Sequence, residues 1–526
     1  MTPARLLPIA SIVLMLVVSF LILPLSLQIA SEVESSLSYN ISLATYFGGF
    51  NIEEVSEVTC ASDGSIVMVG HTNSPDLTTT EDAFQPTYSG GQWDIFVVKF
   101  DVSGALVFSS FLGGSDYEHV DDVEIRSDGS LIVVGFTSSL DFPVTSDAIQ
   151  SSLSGETDGY ITRISADGRT LLYSTYYGGA LSDTIRSVKL DQEENYMIAG
   201  TSASFGLSTD GAYKEHPSGG EDLFIARITD DGSQTEMFTY IGGSRVDRVE
   251  CMAIDSLNNY ILTGQTSSQD FPTTEQAYQT ENAGVWDAYL IKVSSDGTSI
   301  LLSTYIGGEN EDVGRGVATN DLDEIVVVGY TGSTDLKTLS PLQPEYAGGT
   351  RDIFIYKCNK TGITEYLTYL GGSEFDIAYA VEFDGINRPI IIGRTLSDDY
   401  PLVNSLQNQR AGHLDTTVTL LAGDGQSILF STYIGGSAED SGESIFFDID
   451  QRMIISGRTA SSDFPISEGA YQMQIGGYYD VFLCRLQISS SSSHHDIIGW
   501  YPSIIVTVAI SIMAISTTII RKWRRG

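Results

Sequence analysis

Seven acidic residues in this chain hold equivalent places. Glu53, Glu118, Asp183, Asp247, Asp312, Asp376 and Asp440 each stand four residues after the second glycine of a Gly-Gly pair. Carboxylates gathered into a ring around one mouth would attract cations, and Ca2+ takes several carboxylate and carbonyl oxygens. The same residues serve a plainer end if each accepts backbone N–H bonds in its own turn or pairs with an arginine. A second acidic set is Asp94, Asp158, Asp222, Asp287, Asp352, Asp415 and Asp480, and it opens another repeated segment. A third recurrence is Gly-x-Thr or Gly-x-Ser, as at Gly70 and Thr72 or Gly135 and Thr137. Its hydroxyl and the second-set Asp read as a hydrogen-bonded pair tying a long loop to its support. Structural recurrence is the natural reading, because catalysis rarely needs seven copies.

Function sits more often where copies differ. The residue inside Gly-x-Thr/Ser varies as His71, Phe136, Thr201, Gln265, Tyr330, Arg394 and Arg458. Loops rich in Gly, Tyr and Trp vary as well, carrying Trp93, Trp286 and Tyr478. Such loops suit adaptable binding of glycans or protein surfaces, or use their aromatics to pin themselves down. Catalysis has little support. The chain has 6 His, and no HExxH, GxSxG or P-loop spacing occurs. SADGRT (Ser165 to Thr170) approaches an Asp-box but is one residue short and lacks its aromatic. Two carboxylates flanking a sugar remain a hydrolytic alternative.

The elements that must position these residues follow from the period. The first glycine of the pair falls at Gly48, Gly113, Gly178, Gly242, Gly307, Gly371 and Gly435, in steps of 64 or 65 residues. Each copy splits into four short β-rich runs, such as HVDDVEIR, SLIVVGFT, GYITRIS and TLLYSTYY. Asp-Gly separates the first pair of runs and the last pair, a hairpin signal because Gly supplies positive φ. The copies begin with a lone fourth strand from Leu37 and end with a third strand at Ile488. If that first strand completes the last copy, the chain closes. The expectation is an all-β, seven-bladed β-propeller of four-stranded antiparallel blades over residues 37–488, closed by pairing of its N- and C-terminal strands.

STYxGG, with VVGFTSSLDFP (Val133 to Pro143) and LTGQTSSQDFP (Leu262 to Pro272), resembles the seven-bladed β-propeller family called SBBP repeats. The resemblance covers roughly Leu37 to Ile488 and implies a microbial surface or secreted propeller. It supplies no catalytic residues. SPDLTT, SFGLST and STDLKT depart from its DFP element in copies one, three and five.

Charge and the chain ends set the remaining expectations. Lys+Arg number 27 against 68 Asp+Glu, a formal charge of −41, which argues against a nucleic-acid partner. Cys60, Cys251, Cys358 and Cys484 show no metal or disulfide spacing, so free thiols are expected. Residues 1–30 carry an apolar run from Leu6 to Ile29 behind Arg5, read as a signal peptide or signal anchor, with 31–36 as a linker. Residues 489–501 form a Ser-rich link. Residues 502–520 are uncharged and long enough for a membrane helix, and 521–526 are a basic tail placed in the cytoplasm. Both flanks then lie inside and the propeller outside, close to the membrane. Asn40 and Asn359 begin glycosylation patterns. The preferred reading is a membrane-anchored, extracellular binding, adhesion or scaffold module without cofactor, unless the acidic ring holds Ca2+. An extracellular carbohydrate-active enzyme and a structural envelope protein are the alternatives.

Overall fold

The computed structural model describes residues 39–488, and its regular elements are 28 β-strands. The expected leader, linkers, membrane segment and tail lie outside the described residues. Within the described residues no helix is long and apolar enough to cross a membrane.

The strands form seven four-stranded antiparallel sheets. The first blade is typical. Strand β2 (Glu53–Cys60) lies innermost, followed by β3 (Ile66–Thr72), β4 (Asp94–Phe100) and β5 (Leu106–Leu112) in sequence order. Hairpin turns use positive φ where the Asp-Gly signals stand, at Gly64 and Gly129, for example. In later blades Asn258, Asp323 and Asn387 take the same conformation, a cost that Asn and Asp bear better than most residues. Apolar side chains on both faces of each sheet pack between neighbouring blades. Val69, Ile95 and Val97 of the first blade thus share a core with Val120, Val123 and Val133 of the second.

Closure is as expected. Strand β1 (Tyr39–Phe47) pairs antiparallel with β28 (Asp480–Ile488), completing the sheet with β26 (Asp440–Phe447) and β27 (Met453–Thr459). Tyr39 lies opposite Ile488, so both described ends leave from one edge of the seventh blade. Residue Met453, at the start of β27, faces Leu486, which puts the β26–β27 hairpin at that same end.

The tyrosine of STYxGG has a defined job. Its ring is buried and its hydroxyl donates to a serine carbonyl after the second strand of its blade. Tyr46 donates to Ser461 at 2.7 Å, Tyr305 to Ser268 at 2.8 Å and Tyr433 to Ser397 at 2.8 Å. Outer strand and long loop are joined by that bond.

The register of closure is open to a chemical test. Ala44 lies opposite Cys484, and both are fully buried. The Ala44 N–H donates to Ser467 Oγ at 2.7 Å, and its carbonyl accepts from Ser467 N at 3.0 Å. Its backbone groups therefore point away from β28, and the pair is the non-hydrogen-bonded kind in which side chains sit closest. Ala44→Cys should form a disulfide with Cys484 on oxidation and stabilise the fold by about 2–4 kcal/mol. Peptide mapping and thermal melting check it; a folded variant whose two thiols stay unlinked contradicts the register.

Candidate functional site

The recurrent carboxylates do not ring a channel mouth. They are 0–1% exposed and lie inside the junctions between blades. Glu53 accepts from Thr72 Oγ1 at 2.6 Å and from Gly49 N at 2.8 Å. Asp440 accepts from Thr459 Oγ1, from Gly436 N at 2.7 Å and from Ser461 Oγ at 2.8 Å. The Thr or Ser hydroxyl thus pairs with the first acidic set, correcting the expected pairing with the second. The second set holds the long loop without that hydroxyl, through backbone N–H groups, as from Ser89 to Asp94 at 2.7 Å, Ala347 to Asp352 at 2.6 Å and Gly476 to Asp480 at 2.9 Å, and through loop side chains, as from Gln472 Nε2 to Asp480 at 2.7 Å and Lys214 Nζ to Asp222 at 2.6 Å.

The two acidic sets meet across the first glycine of the pair. A Cβ at Gly48 would lie 2.6 Å from Asp480 Oδ1 and 2.6 Å from Glu53 Oε2. At Gly307 it would lie 2.9 Å from Asp287 Oδ1 and 2.8 Å from Asp312 Oδ2. Glycine is needed there because two carboxylates close on the backbone from either side. Burial, with the neighbouring carboxylate adding to it, pushes Glu53, Asp94, Asp312 and Asp352 up to about 7 and Asp247 up to about 6. Among the described residues no group of three or more His, Cys, Asp or Glu is arranged to hold a metal ion.

The channel is lined by other residues. In each innermost strand the pairing slips by one residue, leaving Ser56, Asp121, Arg186, Glu250, Arg315, Tyr379 and Glu443 without a register partner. A bulge of this kind re-aims its side chain, and all seven line a central cavity of about 810 Å³. Sequence reading missed this ring. Its signal was charge at an inner-strand position that varies from copy to copy.

The ring is uneven. Over four blades it is paired: Arg186 contacts Asp121 at 2.7 Å and Arg315 contacts Glu250 at 3.0 Å. At the mouth beside it, His71 Nε2 lies 3.1 Å from Glu54, which is also bonded by Arg458. These partners hold the Glu54 carboxyl down to about 2. The His71 ring stands edge-on to Trp93 and 4.7 Å from His119, which stacks on Phe136. Two groups remain open. Arg394 lies 5.1 Å from the Tyr379 ring and 5.6 Å from Phe375, and its buried Nε has no hydrogen-bond partner. Glu443 accepts from Ser441 Oγ at 2.6 Å, and burial raises its pKa while Arg394 and Arg458 pull it down.

The opposite half of the channel is acidic. Glu57, Asp122, Glu124 and Glu382 surround Lys189, which contacts Asp122 at 3.2 Å and Glu124 at 2.9 Å. Burial pushes Glu57 up to about 8 and Glu382 up to about 7. It opposes the Lys189 charge, yet Asp122, Glu124 and Glu57 together raise that pKa.

Of the sequence candidates, His71, Arg394 and Arg458 reach the cavity. Phe136 and Tyr330 sit behind its wall, Tyr330 under Arg351 at 4.1 Å. Gln265 pairs in register with Arg248, whose guanidinium lies 5.9 Å from the Trp286 ring. Thr201 is buried, and Tyr478 is exposed in its loop. Asn40 is exposed on β1, while Asn359 uses its side-chain oxygen to accept from Thr361 N and Ile363 N in a hairpin turn. The four cysteines are free thiols.

No protein-family model matches the chain. The regulatory protein FlaEY of Caulobacter vibrioides is 26% identical over 343 residues, covering 62% of this chain and 35% of that protein. The chain therefore matches about a third of that relative's length. Among solved structures, the Neurospora crassa Pan2 WD40 domain aligns with TM-score 0.44 at 7% identity, over 86% of this chain and 97% of that one. A europium-containing methanol dehydrogenase aligns with TM-score 0.41 at 8% identity, over 86% and 93%. A Dyadobacter fermentans protein of unknown function aligns with TM-score 0.39 at 11% identity, over 86% and 100%. These likenesses say nothing about ligand or activity.

The junction carboxylates predict an inverted pH response. Their folded pKa values stand above the unfolded carboxylate range near 4, so the native state holds more protons than the unfolded state between about pH 4 and 7. Their contribution is complete below that window and is lost as pH rises through it. Thermal midpoints by circular dichroism should be higher at pH 5 than at pH 8, and Asp312→Asn should flatten the slope. A midpoint that rises from pH 5 to pH 8 contradicts the assignment.

Proposed function

We propose that this chain is a non-catalytic recognition module, tethered at a membrane with its propeller outside, that holds a hydroxyl-rich ligand such as a glycan end in the channel mouth. The observation carrying the reading is that Arg394, on the second strand of the sixth blade, and Glu443, the bulge residue of the seventh, line the same cavity and influence each other electrostatically while Arg394 Nε has no hydrogen-bond partner. A guanidinium only donates and a carboxylate only accepts, whereas a vicinal diol does both. Neither group is closed off by an ion pair as Arg186, Arg315 and Glu54 are. Tyr379 and Phe375 supply apolar ring surface beside them. The surrounding residues differ from blade to blade, which a single asymmetric ligand requires. The tether rests on the apolar runs of the two chain ends and the basic residues flanking them. A relative named as a regulatory protein is compatible with action by binding.

Glycan-array screening of the full chain in detergent tests this. Bound glycans should lose about tenfold or more in affinity with Arg394→Ala and with Glu443→Gln, the scale of one charged hydrogen bond. Tyr478→Ala, on the exposed loop, should bind as the parent does. Absence of any glycan hit, or equal losses in all three variants, rejects the channel mouth as the site.

A further inference from the structure

The hairpins joining the first and second strands of each blade share one geometry and differ at the tip. Blades one to three place Asp63, Asp128 and Glu193 there. Blades four to six place Leu257, Leu322 and Ile386 at the same position, and blade seven carries Ile449 one residue earlier. These four aliphatic side chains are 72%, 58%, 67% and 67% exposed. The tips are laced together. Ser256 N donates to Asp323 Oδ1 at 2.9 Å, joining the fourth hairpin to the fifth, and Gly385 N donates to Gln451 Oε1 at 2.7 Å, joining the sixth to the seventh. Four consecutive blades thus carry one apolar crescent on the face opposite the channel mouth, interrupted by Asp450 at the tip position of blade seven, while the tips of the other three blades are acidic.

The position of the chain ends says what covers it. Tyr39 and Ile488 lie at the same end of the seventh blade as the hairpin bearing Ile449. Tyr39 also packs on Phe430 of the sixth blade. The chain therefore leaves beside Ile386 and Ile449, in the apolar half of the ring. Nine residues separate the run Leu6–Ile29 from Tyr39, and 13 separate Ile488 from Pro502. At full extension these links reach only about 30 Å and about 50 Å. The sequence offers no other region as apolar as these two runs, and the described residues that lead toward them, Tyr39 and Ile488, both lie at this face.

We propose that Leu257, Leu322, Ile386 and Ile449 form a lipid-docking ridge that rests on the bilayer surface beside the tethers. The ridge holds the propeller with its hairpin face down and its channel mouth turned away from the membrane. The surface it meets is zwitterionic, because the acidic arc completing this face repels anionic headgroups. The inference rests on the membrane tether proposed above but not on the glycan site: vesicle flotation tests the tether, label quenching tests the ridge, and neither depends on glycan binding.

The test uses the full chain in phosphatidylcholine vesicles containing lipids brominated high on the acyl chain. A small fluorophore is placed on an introduced cysteine in Leu322→Cys, Ile386→Cys, Asp128→Cys or Tyr478→Cys, each made with the partly exposed native thiols removed by Cys60→Ser and Cys251→Ser, and each protein is first shown to melt cooperatively in detergent. The labels at 322 and 386 should lose most of their emission to the brominated lipid, and those at 128 and 478 should keep theirs. Unquenched labels at 322 and 386 in vesicle-bound protein overturn the proposal, as does uniform quenching at all four sites. Failure of the chain to float with vesicles overturns it as well. Intermolecular disulfides between copies of the Leu322→Cys protein, formed equally in detergent and vesicles, would assign the ridge to a second copy instead.

Discussion

Two carboxylates pressed against one glycine at every blade junction are the constraint from which the rest of this structure follows. Burying like charges without a cation is costly. Here the cost is offset by a glycine N–H of the turn itself and by hydroxyls at the end of the blade's second strand, as around Glu53 and Asp440, and at Asp222 by Lys214 as well. The arrangement fixes where each innermost strand begins and where each long loop is tied. Seven junctions built alike set seven bulges at one height in the channel. Because the scaffold is held by groups that do not reach the channel, the bulge residues are released from structural duty. They alone can be Ser56 in one blade, Arg315 in another and Tyr379 in a third.

Sequence made the ring and its closure readable because both depend on backbone demands that leave marks: a glycine where two side chains crowd, Asp-Gly where φ turns positive, a lone strand at one end. The partners of the carboxylates were less readable. Thr72 stands opposite Asp94 in the sheet yet bonds to Glu53, one strand further in. Spacing places residues along a strand; it does not say to which side a hydroxyl turns. The bulge was harder still. One unpaired residue shifts the alternation of the strand, so reading inward and outward positions by twos fails halfway along it. Contacts such as Arg458 with Glu54 join the last and first blades and leave no local trace.

The channel is polarised along its axis as well as around it. Near the loop face, Glu54, Asp121 and Glu250 are matched by guanidinium groups or histidine, and Glu443 is left open. Near the hairpin face, four acids share Lys189. Burial acts against full ionisation of this cluster, pushing Glu57 up to about 8 and Glu382 up to about 7. A seven-fold scaffold thus carries a chemical gradient that its symmetry does not require.

The departures from symmetry also coincide in angle. Tyr379 and Arg394 belong to the sixth blade and Glu443 and Arg458 to the seventh, so the open arc of the mouth stands over those two blades. The chain ends leave from the same sector, and Ile386 and Ile449 are exposed beneath it. Closure by β1 and β28 places the described ends, Tyr39 and Ile488, there. A tether on one sector would leave a wheel free to rock about that point. In the proposed docking, apolar tips in blades four to seven would oppose rocking by broadening the contact in one direction from the exit point, while acidic tips on the far blades would make the opposite tilt unfavourable near lipid. Orientation of the mouth would then be set by where copies of a repeat stopped resembling one another, with no change in the blades themselves.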